Sequence, residues 1–95
     1  MRGWHLSPLA LRDFTGIWHY TADRWGIEQA ETYVRQIEHD LSAAAAGSPL
    51  VRPLGRHLRI KSGRHVCVLR KADDGKIIVV RVLHERMDVT AQFEG

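Results

Sequence analysis

Two histidines in the C-terminal half of the chain, His65 and His84, are the residues whose types and positions could do chemistry. They lie near both the most basic stretch of the sequence and its C-terminal tail. Because imidazole titrates close to neutral pH, such a pair could act as a general acid and a general base. The alternative is a pair of ordinary strand histidines that hydrogen-bond their neighbours or contact a partner, and the sequence leaves both interpretations open.

No metal site and no cofactor are predicted. His57, His65 and His84 lack the spacing of metal ligands on a helix, and Cys67 has no second cysteine to share a metal ion with. Cys67 stands between valines and is predicted to be a small buried hydrophobic side chain.

The expected compartment is the cytoplasm. A single cysteine cannot form an internal disulfide bond, and no basic segment followed by an apolar run precedes the first predicted strand. The longest aliphatic run, residues 77–80, is far too short to cross a bilayer, so no membrane partner is expected.

Charge is distributed unevenly along the 95 residues. Residues 1–50 carry four arginines against six acidic residues, whereas residues 51–86 carry ten lysines and arginines against three acidic residues. The second segment therefore predicts a basic surface that attracts an acidic partner, either nucleic acid or an acidic protein. The alternative is that these cations only solvate exposed strand faces. A chain of this length has room for one domain with a modest core.

Hydrophobic spacing predicts a short strand followed by two helices. Trp4 and Leu6 flank a polar residue, as in a half-buried strand. Ser7 followed by Pro8 predicts the start of a helix that continues to about residue 25. Gly26 then interrupts the helical period, which resumes along one apolar stripe to about residue 44. Two helices joined at one glycine are expected to form an antiparallel hairpin.

The period changes from helical to twofold after Pro49. Residues 49–55 contain two prolines and a glycine and are predicted to be a loop. Three strands follow, over residues 57–61, 64–71 and 76–84, and the turn signals between them predict an antiparallel meander.

The middle strand of this meander is apolar on both faces at its centre, residues 66–69. The sheet therefore needs cover on both sides, and the helical hairpin supplies only one. We expect a partner on the other face, and low solubility without it.

The order of these elements, together with several short motifs, resembles the RelE/ParE superfamily and the ParE toxins in particular. The motifs are Leu6-Ser7-Pro8 with Ala10 and Asp13, Ile17-Trp18-His19-Tyr20, Trp25-Gly26 with Gln29-Ala30 and Tyr33, Gly63-Arg64-His65, and Val82-Leu83-His84-Glu85-Arg86-Met87-Asp88. The resemblance covers nearly the whole chain, and its specificity lies in the order and spacing of the motifs together. It implies one α+β toxin domain over residues 1–95, built from an N-terminal strand, an antiparallel helical hairpin and a three-stranded antiparallel meander.

The resemblance implies the toxin of a type II toxin–antitoxin pair. Such toxins are held inactive by a ParD-like antitoxin, a ribbon-helix-helix protein whose extended C-terminal segment wraps the toxin. ParE toxins typically poison DNA gyrase and block replication without changing a substrate chemically, so direct DNA contact is expected only within the gyrase complex. RelE relatives instead cut messenger RNA on the ribosome. That activity, or an inactive homologue that acts as a binding partner, is the alternative.

Two features favour gyrase inhibition over RNA cleavage. No tyrosine lies beyond Tyr33, so the tail lacks a proton donor of the usual kind. His65 stands where RelE-like nucleases tend to carry arginine and ParE-like sequences tend to carry histidine. The chain departs from the ParE pattern at Leu69-Arg70, where an aromatic residue is more usual.

The resemblance and the basic strands together predict two sets of binding residues. The expected target-binding residues are Arg59, Lys61, Arg64, His65, His84, Arg86, Met87 and Asp88. The expected antitoxin-binding residues are Trp18, Tyr20, Leu69, Arg70 and Arg81. Trp18 and Tyr20 are two residues apart on a helix, so one of them should be exposed. Strand alternation predicts that Arg81 points away from the helical hairpin.

Overall fold

The computed structural model describes residues 3–94 of the chain. It consists of a five-stranded sheet with two long helices packed on one face. This is the α+β arrangement that the sequence predicts. Among the described residues, no helix is both long enough and apolar enough to span a membrane.

The first strand and the first helix follow each other directly. Strand β1 (Trp4–Leu6) leads into helix α1 (Pro8–Trp25) through Ser7. The Ser7 hydroxyl accepts a hydrogen bond from the amide of Ala10 at 3.1 Å and donates one to the carbonyl of Val80 at 2.8 Å. The predicted helix start is confirmed, and the same hydroxyl also ties the helix to the sheet.

Gly26 separates α1 from helix α2 (Ile27–Ala45), as predicted. Its backbone has φ +97°, a conformation that other residues rarely adopt, so the chain can reverse here within one residue. The Gly26 amide still donates to the carbonyl of Ala22, and its carbonyl accepts from the amide of Ala30. Gly26 therefore ends α1 and begins α2 through its own backbone groups, and the hairpin lies on the sheet through its apolar stripe.

The predicted meander is present as three antiparallel strands, β3 (His57–Ser62), β4 (His65–Lys71) and β5 (Ile77–His84). Strand β1 joins the sheet beside β5 and runs parallel to it, with Trp4 opposite Ile77 and Leu6 opposite Val79. Because β1 has only three residues, the second half of β5 has no strand neighbour on that side.

Two elements were not predicted. The segment predicted to be a loop contains strand β2 (Arg52–Leu54), which pairs with β3 at the end of the sheet. Pro53 lies within it, and an edge strand tolerates proline because its missing N–H can face away from the ladder. The tail forms a short helix, α3 (Val89–Glu94).

Both faces of the sheet carry an apolar core. The core under the helical hairpin includes Trp4, Phe14, Ile37, Leu41, Ile60, Cys67, Leu69, Val79 and Val82. The core on the outer face consists of Leu54, Val66, Val68, Leu83 and Val89, with Val80 and Phe93 packed against it. Helix α3 thus covers part of the outer face with side chains of the same chain. The premise that the outer face is left open and apolar is therefore wrong, although the prediction that β4 is buried on both faces is confirmed.

Two glycines make a matched test of this packing. Gly63 has φ +57°, and a Cβ atom there would lie 2.8 Å from the hydroxyl of Tyr33. We expect Gly63→Ala to lower the free energy of unfolding by at least about 2 kcal/mol, because backbone strain and a steric clash with Tyr33 both destabilise the folded state. Gly16 lies inside α1 with nothing within 4 Å of the added Cβ. Gly16→Ala should therefore raise the unfolding free energy by about 0.5–1 kcal/mol. Urea denaturation measures both variants, and equal effects would contradict the packing described.

Candidate functional site

A groove of about 1020 Å³ opens between α1 and the second half of β5, where β1 no longer covers the strand. We call it the α1–β5 groove. Its lining residues are Arg12, Asp13, Gly16, Ile17, Tyr20, Thr21, Trp25, Gln29, Tyr33, Gly63, Arg64, His65, Arg81, Val82, Leu83, His84, Arg86 and Met87.

One wall of the groove is held by Asp13 of α1. Its carboxylate accepts two hydrogen bonds from the Arg81 guanidinium, at 2.8 and 3.1 Å, and a third from the amide of Val82 at 2.9 Å. The third bond satisfies a backbone donor on the part of β5 that lacks a strand neighbour. The bond to Asp13 also raises the pKa of Arg81, so this arginine stays charged.

The prediction that Arg81 points away from the helical hairpin is wrong. The pairing of β4 with β5 shifts between Val68 and Leu69, which face Arg81 and Val79 and leave one residue of β5 without a partner. Such a bulge interrupts the strict alternation of side chains. At this uncovered edge the Arg81 side chain reaches α1 instead of the outer face.

The floor of the groove holds three side chains from three elements. The Tyr33 hydroxyl, from α2, lies 2.7 Å from Nδ1 of His65 on β4 and accepts the amide of Arg64 at 3.0 Å. The His65 and His84 rings meet edge to face with centroids 5.3 Å apart. Nδ1 of His84 accepts the amide of Arg86 at 3.1 Å.

The contact with the Arg86 amide determines where the proton lies on the neutral His84 ring. A backbone amide can only donate, so Nδ1 of His84 is the acceptor and its Nε2 carries the hydrogen. We assign the Tyr33 proton to the bond with Nδ1 of His65, the tautomer in which the Tyr33 hydroxyl donates to His65 and accepts the Arg64 amide. His65 then also carries its hydrogen on Nε2.

Burial is the largest influence on the acid–base behaviour of this cluster. It lowers the pKa of His65, and the neighbouring His84 lowers it further, against smaller opposing effects of Glu85 and Asp13. Burial also raises the pKa of Tyr33. Burial therefore favours the uncharged forms of His65 and Tyr33.

The rim of the groove carries both exposed aromatic rings and cations. Tyr20 and Trp25 are 56% and 63% exposed, with ring centroids 6.4 Å apart. Among the groove residues, Arg12 and Arg86 make no ion pair, and Arg64 reaches only Glu85, at 4.0 Å. Exposed apolar rings beside unpaired cations suit a partner segment that is both apolar and acidic.

Glu85 lies just outside the groove and contacts two cations. Its carboxylate lies 3.3 Å from Nζ of Lys61 as well as 4.0 Å from the Arg64 guanidinium. The hydrogen bond with Lys61 is the main cause of a lowered Glu85 pKa. These exposed ion pairs stabilise the fold little, but they partly neutralise the negative charge of Glu85.

The structure brings together most of the predicted binding residues. Of the target-binding set, Arg64, His65, His84, Arg86 and Met87 line the groove, and from the antitoxin-binding set Tyr20 and Arg81 line the same groove.

Other predicted residues lie elsewhere. Arg59 and Lys61 pair with Val68 and Val66 and so share the outer face of the sheet. Arg70 lies at the far end of β4, about 17 Å along the strand from His65. Asp88 accepts the amide of Ala91 at 3.2 Å and caps α3.

Two of the predicted antitoxin-binding residues, Leu69 and Trp18, do not line the groove. Leu69 has no exposed surface and belongs to the core under the helices, so its predicted contact with an antitoxin is corrected. Trp18 is half-buried and lines a shallow depression between α1 and α2, with Glu31 and Arg35. Tyr20 is the exposed member of the pair, as the helical spacing required of one of them.

Sequence reasoning missed Arg12 and Tyr33 as groove residues. Tyr33 offered a signal, because a tyrosine on an apolar helical stripe needs a partner for its hydroxyl. The partner is 32 positions away in the sequence and could not be identified without the fold.

Among residues 3–94, no group of three or more His, Cys, Asp or Glu side chains is arranged to hold a metal ion. Cys67 is buried, as predicted, and burial raises the pKa of its thiol to about 12. Cys67 is therefore an unreactive core side chain.

Comparison with known proteins adds to this geometry. Residues 5–89 match the family described as ParE toxin of type II toxin-antitoxin system, parDE. Toxin ParE1 of Mycobacterium tuberculosis is 41% identical over 88 residues, covering 88% of this chain and 90% of the relative. Toxin ParE1 of Caulobacter vibrioides is 33% identical over 97 residues, covering 98% of this chain and 99% of the relative.

A solved structure with the same fold belongs to the chromosomal ParDE toxin–antitoxin system from P. aeruginosa. It superposes with a TM-score of 0.74, covers 85% of this chain and 92% of the other, and is 16% identical in sequence. At that identity the likeness supports the fold alone.

The Asp13 contacts predict a marked loss of stability on substitution. Asp13→Ala leaves a guanidinium and a strand amide without their acceptor, so we expect the free energy of unfolding to fall by about 2 kcal/mol. Asp23→Ala is the control, because Asp23 is an exposed residue of the same helix, and its effect should stay within about 0.5 kcal/mol. Thermal or urea denaturation measures both, and similar values for the two variants would refute the role assigned to Asp13.

The lowered pKa of His65 predicts that stability depends on pH. The unfolded chain binds the proton first, near the ordinary value of about 6.5, so the free energy of unfolding should fall as pH drops through that value and level off below the folded pKa. His65→Gln removes this titration and should flatten the dependence, whatever its effect on absolute stability. Urea denaturation between about pH 7.5 and pH 5.5 tests this, and equal slopes for both proteins would contradict it.

Proposed function

The chain belongs to the ParE toxin family of type II toxin–antitoxin systems, and on that premise we propose that it poisons DNA gyrase and is neutralised by a ParD-like antitoxin. The observation that carries the proposal is that members of both predicted binding sets, Arg64, His65, His84, Arg86 and Met87 from one and Tyr20 and Arg81 from the other, line the same α1–β5 groove.

The antitoxin is proposed to place an extended, acidic and apolar segment in this groove. Exposed Tyr20, Trp25 and Met87 supply the apolar contacts, and aromatic side chains contribute strongly to protein interfaces. Arg12 and Arg86 supply positive charge for acidic residues of the segment. A segment in this position covers the target-binding residues of the groove, so antitoxin and target would compete for one surface.

The toxin is proposed to act by binding, without a bond-breaking step of its own. A general base needs a free lone pair, and in this cluster Nδ1 of His84 accepts the Arg86 amide and Nδ1 of His65 is assigned the Tyr33 proton. Each Nε2 carries a hydrogen, so both rings offer donors rather than bases. The Tyr33 proton is used in the bond with His65. This arrangement favours holding a partner over cleaving RNA.

The experiment is a gyrase assay with purified toxin. We expect inhibited supercoiling and accumulation of cleaved DNA. Removing two groove cations together, Arg64→Ala with Arg86→Ala, should raise the toxin concentration needed for inhibition by about tenfold. A matched variant, Arg35→Ala with Arg56→Ala, removes the same charge from exposed positions outside the groove and should behave like the wild type.

Three further measurements complete this test. A ParD-like antitoxin added in equimolar amount should restore supercoiling. Gyrase that is unaffected by active toxin would overturn the target proposal, and messenger RNA cleavage in a translating extract would replace it with nuclease activity. Expression without antitoxin should arrest growth, and normal growth would indicate an inactive homologue.

A further inference from the structure

Two neighbouring histidine rings on the floor of the α1–β5 groove each have an unused hydrogen-bond donor. The Nδ1 atoms of His65 and His84 are occupied by Tyr33 and by the Arg86 amide, which leaves Nε2–H as the remaining polar group of each ring. Neither Nε2 has a hydrogen-bond partner among the described residues, and neither is a buried unsatisfied atom. Both rings line the groove. Two neighbouring donors with tautomers held by contacts at Nδ1 are suited to bind an acceptor.

The charges near this floor favour an anion. Six titratable or charged side chains surround His65 from every element packed around it: Asp13 of α1, Tyr33 of α2, Arg64 of the β3–β4 turn, and His84, Glu85 and Arg86 at the end of β5. The two carboxylates are already engaged, Asp13 by Arg81 and Val82 and Glu85 by Lys61. Arg86 makes no ion pair within the described part of the chain, so positive charge beside the two imidazoles is uncompensated.

We propose that His65 and His84 form a receptor for one carboxylate group of a bound protein segment, with Nε2–H of each ring donating to it and the Arg86 guanidinium balancing its charge. This receptor adds a specific contact to the proposed function. It rests on that function in one respect, because the bound segment is taken to belong to the antitoxin. An aspartate or glutamate of that segment is the occupant, flanked by apolar residues.

A peptide carboxylate fits this place better than a phosphate group. The groove is also lined by Ile17, Tyr20 and Trp25. These apolar side chains favour a ligand that carries apolar side chains next to its anionic group. The carboxylates of Asp13 and Glu85 also act on His65 through space, and they would repel a doubly charged phosphate more strongly than a singly charged carboxylate.

A carboxylate in this position is coupled to protonation of the imidazoles. An anion held by Nε2–H favours the charged form of the ring and opposes the burial that keeps His65 neutral. Binding is therefore accompanied by proton uptake, and by linkage the carboxylate binds more tightly as pH falls toward the titration range of histidine. The toxin would therefore bind an antitoxin held in this way with higher affinity at mildly acidic pH.

The test uses acetate as the probe and the isolated toxin as the receptor. Histidine side-chain NMR signals are followed during an acetate titration at about pH 6 and about pH 7.5, with chloride at equal ionic strength as the control. We expect saturable shifts of His65 and His84 with acetate only, with tighter binding at the lower pH. The exposed residues His19 and His39 lie outside the groove and serve as internal references. An equal titration with inorganic phosphate should show weaker binding.

Two variants of His84 separate donation to the ligand from support of the fold. His84→Asn keeps an oxygen that can accept the Arg86 amide but removes the donor at the Nε2 position, so the acetate dissociation constant should rise about fivefold. His84→Gln places an amide N–H near that position and should retain most of the affinity at the higher pH. Shifts that do not saturate, shifts reproduced by chloride, phosphate binding as tight as acetate, or unchanged affinity in His84→Asn would overturn the proposal.

Acetate binding is measured without antitoxin or gyrase. Its failure would therefore remove the carboxylate receptor alone and leave the gyrase and antitoxin proposals to their own assay. A positive acetate result combined with failure of the antitoxin to bind would retain the receptor and remove only the identity of its occupant.

Discussion

The carboxylate of Asp13 is the contact on which the functional surface depends. Strand β1 is too short to cover all of β5, and an uncovered strand exposes backbone groups that need partners. Asp13 supplies an acceptor for the Val82 amide and holds the Arg81 guanidinium at the same time. Helix α1 is thereby held beside β5 without adding a strand there. The groove exists because a side chain, and not a sixth strand, satisfies this edge.

The second support of the groove is the Tyr33 hydroxyl, which joins α2 to the turn between β3 and β4. It contacts the Arg64 amide and His65, and the turn passes so close to it that only glycine fits at position 63. These contacts serve stability and function together. They fix the helix hairpin on the sheet, and they also orient the imidazole that faces the groove. A toxin that works by binding needs a rigid surface of this kind more than it needs reactive groups.

The charge distribution agrees with such a surface. Arg12 and Arg86 of the groove make no ion pair among the described residues, although acidic residues elsewhere in the chain could have neutralised them in another fold. Unpaired cations keep the surface around the exposed aromatic rings soluble. When an acidic, apolar segment binds, the cations attract its acidic residues and the rings contact its apolar residues. Helix α3 covers part of the outer face of the sheet, which leaves the groove as the surface with both exposed rings and open volume.

The sequence by itself determined the elements whose signals are local. The helix start at Ser7, the break at Gly26, the meander and the burial of Cys67 all follow from spacing, capping and turn residues that act over a few positions. Tertiary structure alone decided the features that depend on distant partners. Residues 52–54 became a strand only because β3 offered an edge, and the bulge in β5 turned Arg81 toward Asp13, 68 positions away. The pairing of Tyr33 with His65 likewise depends on how the hairpin packs, since a pattern within one segment carries no information about which residue of another segment it will meet.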